Sequence, residues 1–245
     1  MRISGNCSTF AADFKTIAYM KKSFIIYSFV IFMLACTKEP TSTLQIEPFD
    51  RIEINARQTT MNIILEQKDV YQIGITSSQT DSLFREVKDK TLYVSVPTTN
   101  CGSYDIQICA PEFKQIHAYL VSNLHTPDTI RQDSLSVITD VDNVHLNMQV
   151  NKLHFTHYTD GKICLCGKAD TSYLDASYAK ADLDASRLIT KDMHLRIGEC
   201  KAKFHVTDHF WIEETFNSQI TYVGTPEIEE CKIKWSILKN ALFFY

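Results

Sequence analysis

The sequence predicts an all-β chain: a right-handed parallel β-helix-like solenoid entered through an N-terminal β-strand region. Three observations lead there. Helical apolar spacing nearly vanishes after the first 44 residues. Short runs then alternate apolar and polar residues, the period of a half-buried strand. From Phe113 onward, apolar pairs recur about every 20 residues, the sign of stacked repeats.

The first 35 residues read as a leader. Lys21 and Lys22 precede an uncharged apolar run, Ser23 to Ala35 (SFIIYSFVIFMLA). A membrane-spanning helix needs roughly 20 apolar residues, so this run suits an export signal better than a permanent span. It ends in Met33-Leu34-Ala35-Cys36, which resembles a bacterial lipobox. Cys36 is the expected lipidation site and the first residue of the mature chain. Met20 stands directly before the two lysines and is read as the start, with residues 1–19 untranslated. Residues 36–44 form a short polar linker. Thr37 occupies the place where an aspartate would signal inner-membrane retention, which favours an outer-membrane address, on the periplasmic side or the cell surface.

Five alternating runs follow: Arg51–Ala56, Met61–Glu66, Tyr71–Thr76, Thr91–Val96 and Tyr104–Cys109. Asp89-Lys90 reads as a turn before Thr91. Residues 81–87 could form one helical turn.

The solenoid units open on Leu135/Val137, Leu153/Phe155, Leu195/Ile197 and Phe210/Ile212. Second apolar pairs follow at Val144/Leu146, Ile163/Leu165, Leu183/Ala185, Phe204/Val206 and Ile220/Tyr222. One unit cannot bury its own apolar face, but stacked units share a core, with strands about 4.8 Å apart. Corners are expected at Asp140–Asn143, Thr159–Lys162 and Asp175–Ser177. The apolar tail, residues 236–245, is expected to cap the open end, which would otherwise invite aggregation.

At this point the residues resemble a known family. Pro48-Phe49-Asp50-Arg51-Ile52-Glu53-Ile54, Val87 to Val94 and Ile220 to Pro226 are similar, in that order along the chain, to the head GIN domain family. These are autotransporter adhesin-like lipoproteins of Bacteroidetes. The resemblance covers roughly residues 45 to 235, taken as one domain, and implies a β-helix-like envelope protein. The family brings no catalytic residues to carry over. It is typically rich in Ser, Gly and Ala at its corners, whereas this chain has 7 glycines, so wider corners are expected.

The same spacing suggests one chemical column. Residues following the inward pairs should point outward: His145, Cys164, Asp184, His205 and Thr221. Such a set could ligate a transition metal or activate a thiol, although unrelated polar residues on a wet face explain it better. A one-residue slip would turn the whole set inward. His154 and His157, three apart and so on opposite faces of a strand, are read as surface or lateral residues. Asp170, Asp175, Asp182, Asp184 and Asp192 could serve glycan cleavage or calcium binding. No clustered arginine or lysine base accompanies them, and the two Asp-Ala-Ser triplets read better as repeated corner or strand-edge chemistry. Tyr173, Tyr178, Trp211 and Trp235 are candidate sugar-stacking rings.

Of 8 cysteines, Cys7 lies in the leader and Cys36 takes lipid. Cys101, Cys109, Cys164, Cys166, Cys200 and Cys231 are left with pairing open. Cys101 and Cys109 could close a small loop. Cys164 and Cys166, two apart on a strand, share a face and are poorly placed to bond each other.

Arg2, Lys15, Lys21 and Lys22 against Asp13 put the leader at +3, so the rest of the chain carries −7 of the formal −4 total. That charge excludes a nucleic-acid footprint. The expectation is a non-enzymatic cell-envelope lipoprotein without cofactor or metal. It is held at a membrane by its lipid and acts as an adhesin or binding module toward a glycan, a protein or another copy of itself. The alternatives are an envelope structural or sensing component and, less favoured, a carbohydrate-active β-helix enzyme.

Overall fold

A computed structural model of the chain describes residues 42–56, 60–76, 83–96 and 102–241. Cys7, Cys36 and Cys101, with the expectations placed on them, lie outside the described residues. None of the described residues is helical. All strands join in one 17-stranded sheet wound on itself, so that alternate side chains of every turn meet in a common core.

The N-terminal region holds β1 (Ser42–Gln45), β2 (Arg51–Asn55), β3 (Thr60–Gln67), β4 (Gln72–Thr76), β5 (Phe84–Lys88), β6 (Thr91–Ser95) and β7 (Ser103–Ala110). The five alternating runs become β2, β3, β4, β6 and β7. Their apolar positions, among them Ile52, Ile54, Ile63 and Leu65, are buried. Parallel pairing joins β2 to β6 and β3 to β7, while β4 lies antiparallel to β7 and β1 antiparallel to β4. Asp89 and Lys90 both take positive φ, 49° and 60°, and close the β5–β6 hairpin. The helical turn expected over residues 81–87 is overturned for its described part. Phe84–Lys88 is a strand because pairing with β6 supplies backbone partners that one isolated helical turn could not.

The solenoid proper contains β8 (Gln115–Tyr119), β9 (Asn123–His125), β10 (Ile130–Thr139), β11 (Asn143–His157), β12 (Gly161–Ala176), β13 (Ala181–Gly198), β14 (Lys201–Phe216), β15 (Gln219–Val223), β16 (Glu227–Lys234) and β17 (Ile237–Asn240). Every pairing between them is parallel. The long strands bend and serve two faces. The start of β11 pairs with β9, for example, and its end with β10. The first face stacks β8 and the ends of β10 to β14 up to β16. The second stacks β9 and the starts of β11 to β14 up to β15 and β17.

The expected first pairs all lie inward on the first face. The second-face register differs at one rung. Leu183 pairs with Ala202 and Ala185 with Phe204, so Ala202/Phe204, not Phe204/Val206, continues the column to Ile220/Tyr222. The β13–β14 register shifts beyond Ala185, and this irregularity is invisible to a count of spacings. At the C-terminus β17 adds a rung alongside β15, and Leu238 packs on the core.

Candidate functional site

Parallel in-register strands place equivalent residues of successive rungs beside one another. On the outer side of the first face this creates a ladder of rings. His154 pairs with Tyr173, and Tyr173 with His194, which pairs with Trp211. Successive ring centroids are each 4.5 Å apart, with interplanar angles of 4°, 10° and 13°. Lys152 Nζ stands 5.2 Å above the Tyr173 ring. At the far end Trp211 Nε1 donates to Glu229 at 3.1 Å, and His209 stacks on the indole at 5.1 Å. His209 also bonds Asp192 at 2.7 Å, which holds its imidazole above the usual histidine range. Burial, then the Lys152 charge, pushes His154 down.

This ladder changes the reading of two candidate rings. Tyr173 is stacked between His154 and His194, and Trp211 stacks on His194 and on His209 of its own strand. They stabilise the coil and are poor platforms for a sugar.

The other two candidates stand elsewhere. Where the chain leaves the first face for the second, each rung turns a corner, and large apolar side chains project from it: Leu120, Tyr158, Tyr178, Phe216 and Trp235. Tyr178 is 84% exposed and Trp235 80% exposed, so both rings have free faces. Asp140 and Glu199 occupy the intervening corners. At about 4.8 Å per rung the ridge runs for about 29 Å. Leu120, Glu199, Asn217 and Trp235 hold φ near +50° (56°, 51°, 48° and 51°). For leucine and tryptophan that left-handed conformation is disfavoured, so these corners keep bulky residues against their backbone preference. Trp235 leans on Phe216 at 5.4 Å. The Tyr178 corner is tied by Asp175, whose Oδ1 accepts from Ser177 N at 3.0 Å and Oγ at 2.5 Å. Tyr178 and Trp235 were legible as candidates. Leu120, Tyr158 and Phe216 were missed, although each lies within two residues after the last inward position of its strand.

The Asp-Ala-Ser triplets make local bonds: Asp175–Ser177 at a corner, and Asp184–Ser186 within β13, where its register with β14 begins to shift. Asp184 repeats the Asp175 pattern on Ser186 N and Oγ, at 3.0 and 2.5 Å. Asp170 is tied to Lys191 at 2.9 Å and Asp192 to His209. These carboxylates are thus engaged with basic or hydroxyl partners and distributed over both faces.

The outward column on the second face is real but differs in one member. His125, His145, Cys164, Asp184, Lys203 and Thr221 align. Lys203 replaces His205, which the register shift moves opposite Ile189. Cys164 and Cys166 come together, Sγ to Sγ 3.7 Å, and Arg187 Nη2 lies 3.1 Å from Cys164 Sγ. His157, expected as a surface or lateral residue, is 1% exposed inside a corner.

The family model described as "Putative auto-transporter adhesin, head GIN domain" matches residues 48–226. No curated protein matches the chain significantly. Among solved structures, a "putative adhesin" from Bacteroides fragilis aligns with TM-score 0.64 at 18% identity, covering 84% of this chain and 98% of that one. A "putative adhesin" from Parabacteroides merdae gives 0.60 at 15%, covering 82% and 95%. A "putative lipid binding protein" from Parabacteroides distasonis gives 0.59 at 14%, covering 84% and 98%. At these identities the likeness is one of fold.

Proposed function

Because the chain belongs to the auto-transporter adhesin, head GIN domain family, we propose that it is a non-enzymatic adhesin of the cell envelope whose contact surface is the corner ridge. The ligand class is a glycan. The observation that carries this reading is the free ring faces of Tyr178 and Trp235 on a ridge of exposed apolar side chains. Sugar rings present apolar C–H faces that stack on such aromatics. Exposed apolar patches on soluble proteins mark interaction sites. The free rings are separated by about 14 Å, three rungs at about 4.8 Å each, which suits an extended chain of sugars better than a single one.

The anchor is Cys36, lipidated after removal of residues 1–35 and held in the outer membrane. With only residues 36–41 between the lipidated cysteine and β1, which starts at Ser42, the solenoid stays close to that membrane. Four of the five aspartates between residues 170 and 192 (Asp170, Asp175, Asp184 and Asp192) are held by Lys191, serines or His209, which does not favour a hydrolase.

The test is binding of the lipidated protein, in detergent, to an immobilised glycan array, beside a Tyr178→Ala/Trp235→Ala variant. Selective binding that drops at least tenfold in the variant is expected, and equal binding by both would remove the ridge as the contact surface. The lipid binding named for the Parabacteroides distasonis neighbour sets the competing ligand, which phosphatidylethanolamine vesicles run with the same pair would detect. Protease shaving of whole cells separates a surface adhesin, which is released, from a periplasm-facing structural or sensing component, which is spared.

A further inference from the structure

We propose that His145, Cys164 and Cys166 form a binding site for a soft d10 metal ion, Cu(I) or Zn(II), on the outer side of the second face, away from the corner ridge. The three ligand atoms, one imidazole nitrogen and two sulfurs, lie within 4.8 Å of one another. They come from two adjacent rungs, β11 and β12, where His145 pairs directly with Cys164.

The sulfur separation fits metal geometry. Two sulfurs on one tetrahedral centre, each about 2.3 Å from it, stand about 3.8 Å apart; here they are 3.7 Å apart. The cysteines converge because the strand turns sharply just after them. Gly167 takes φ +108°, with the Met148 carbonyl oxygen 1.9 Å from where a Cβ would stand. The register with β13 also shifts between Cys164 and Cys166. A strand that continued straight would hold the two side chains farther apart.

One cation stands beside the sulfurs: Arg187 donates to Cys164 Sγ at 3.1 Å. Two thiolates, one neutral imidazole and a monovalent ion sum to one negative charge, which Arg187 offsets. Three ligands of this softness suit Cu(I), whereas Zn(II) would need water as a fourth. His145 is exposed and both cysteines are half-buried, so an ion can reach the site.

The experiment takes the full chain, reduced and metal-free under anaerobic conditions. It titrates Cu(I) against a chromophoric chelator and, in a separate arm, Zn(II). One equivalent bound per chain is expected, with thiolate-to-copper charge transfer in the ultraviolet in the Cu(I) arm. His145→Ala, Cys164→Ser and Cys166→Ser should each weaken binding at least tenfold, while Cys231→Ser leaves it unchanged. His145→Ala removes an exposed side chain, so its result does not depend on refolding a cysteine variant. The proposal is overturned if neither ion is retained at one equivalent, or if these three variants bind as the wild type does.

Discussion

Gly167 lies against Met148 of the preceding rung so closely that an added Cβ would stand 1.9 Å from the Met148 carbonyl oxygen. Its φ of +108° is also one that residues with a Cβ rarely adopt. Gly167→Ala should therefore destabilise the solenoid by at least about 2 kcal/mol, strain and clash combined. Urea unfolding followed by circular dichroism measures this. An unchanged midpoint would mean that the β11–β12 contact is looser than the geometry states.

The ring ladder and the corner ridge make opposite predictions for aromatic substitutions. Trp211→Ala loses stacking on His194 and His209 and the bond to Glu229. At about 0.5–1.5 kcal/mol per aromatic pair, stability should fall by about 2–3 kcal/mol, while glycan binding at the ridge stays intact in whatever fraction remains folded. Tyr178→Ala should shift stability by no more than about 0.5 kcal/mol and weaken glycan binding. If both variants lose stability alone, the ridge is structural and the proposed contact surface fails.

The contrast shows what was legible in the sequence. Strand alternation was readable because burial has a period of two: Ile52/Ile54 and Leu153/Phe155 can point nowhere but inward. The period of the coil was readable for the same reason. Register was not, because spacing counts residues and a bulge hides one. The pairing of Leu183 with Ala202, not Phe204, put Lys203 where His205 was expected, and the shift beyond Ala185 moved His205 opposite Ile189. The approach of Cys164 to Cys166 depends on the turn at Gly167, which a flat-strand argument excludes. Tyr178 and Trp235 were readable as aromatic candidates, but their separation from Tyr173 and Trp211 was not. Both kinds lie between inward positions, and only the three-dimensional corner decides whether a ring stacks on the next rung or stands free.

His157 makes stability depend on pH. It is buried, and burial lowers its pKa below the ordinary 6.5, outweighing a backbone hydrogen bond to Thr159 and the Asp160 charge, which raise it. Between the lowered folded value and 6.5 the unfolded chain binds more protons, so stability is full above pH 6.5 and is lost as pH falls from there toward the folded value. His125 and His154 are shifted the same way, while His209, raised by Asp192, acts in the opposite sense. His157→Phe keeps the ring volume and removes the titration. Urea midpoints between pH 7.5 and 5 should fall less steeply in this variant than in the wild type. An identical slope would assign the acid sensitivity to other groups.

Leu120 gives the most direct test of whether the ridge is kept for contact. It is 53% exposed, holds φ +56°, and donates its backbone N–H to Asp140 Oδ1. Asparagine tolerates that conformation far better than leucine does, keeps the same N–H donor, and loses little burial. Leu120→Asn should therefore raise stability, by about 0.5–1 kcal/mol. If Leu120 belongs to the contact surface, the same change weakens glycan binding. A residue that lowers stability and raises binding marks a site kept for function, since packing alone would favour the substitution. Differential scanning calorimetry and the glycan array, run on this one variant, give both readings. A drop in melting temperature would instead show that the leucine packs against its corner and that its exposure is incidental.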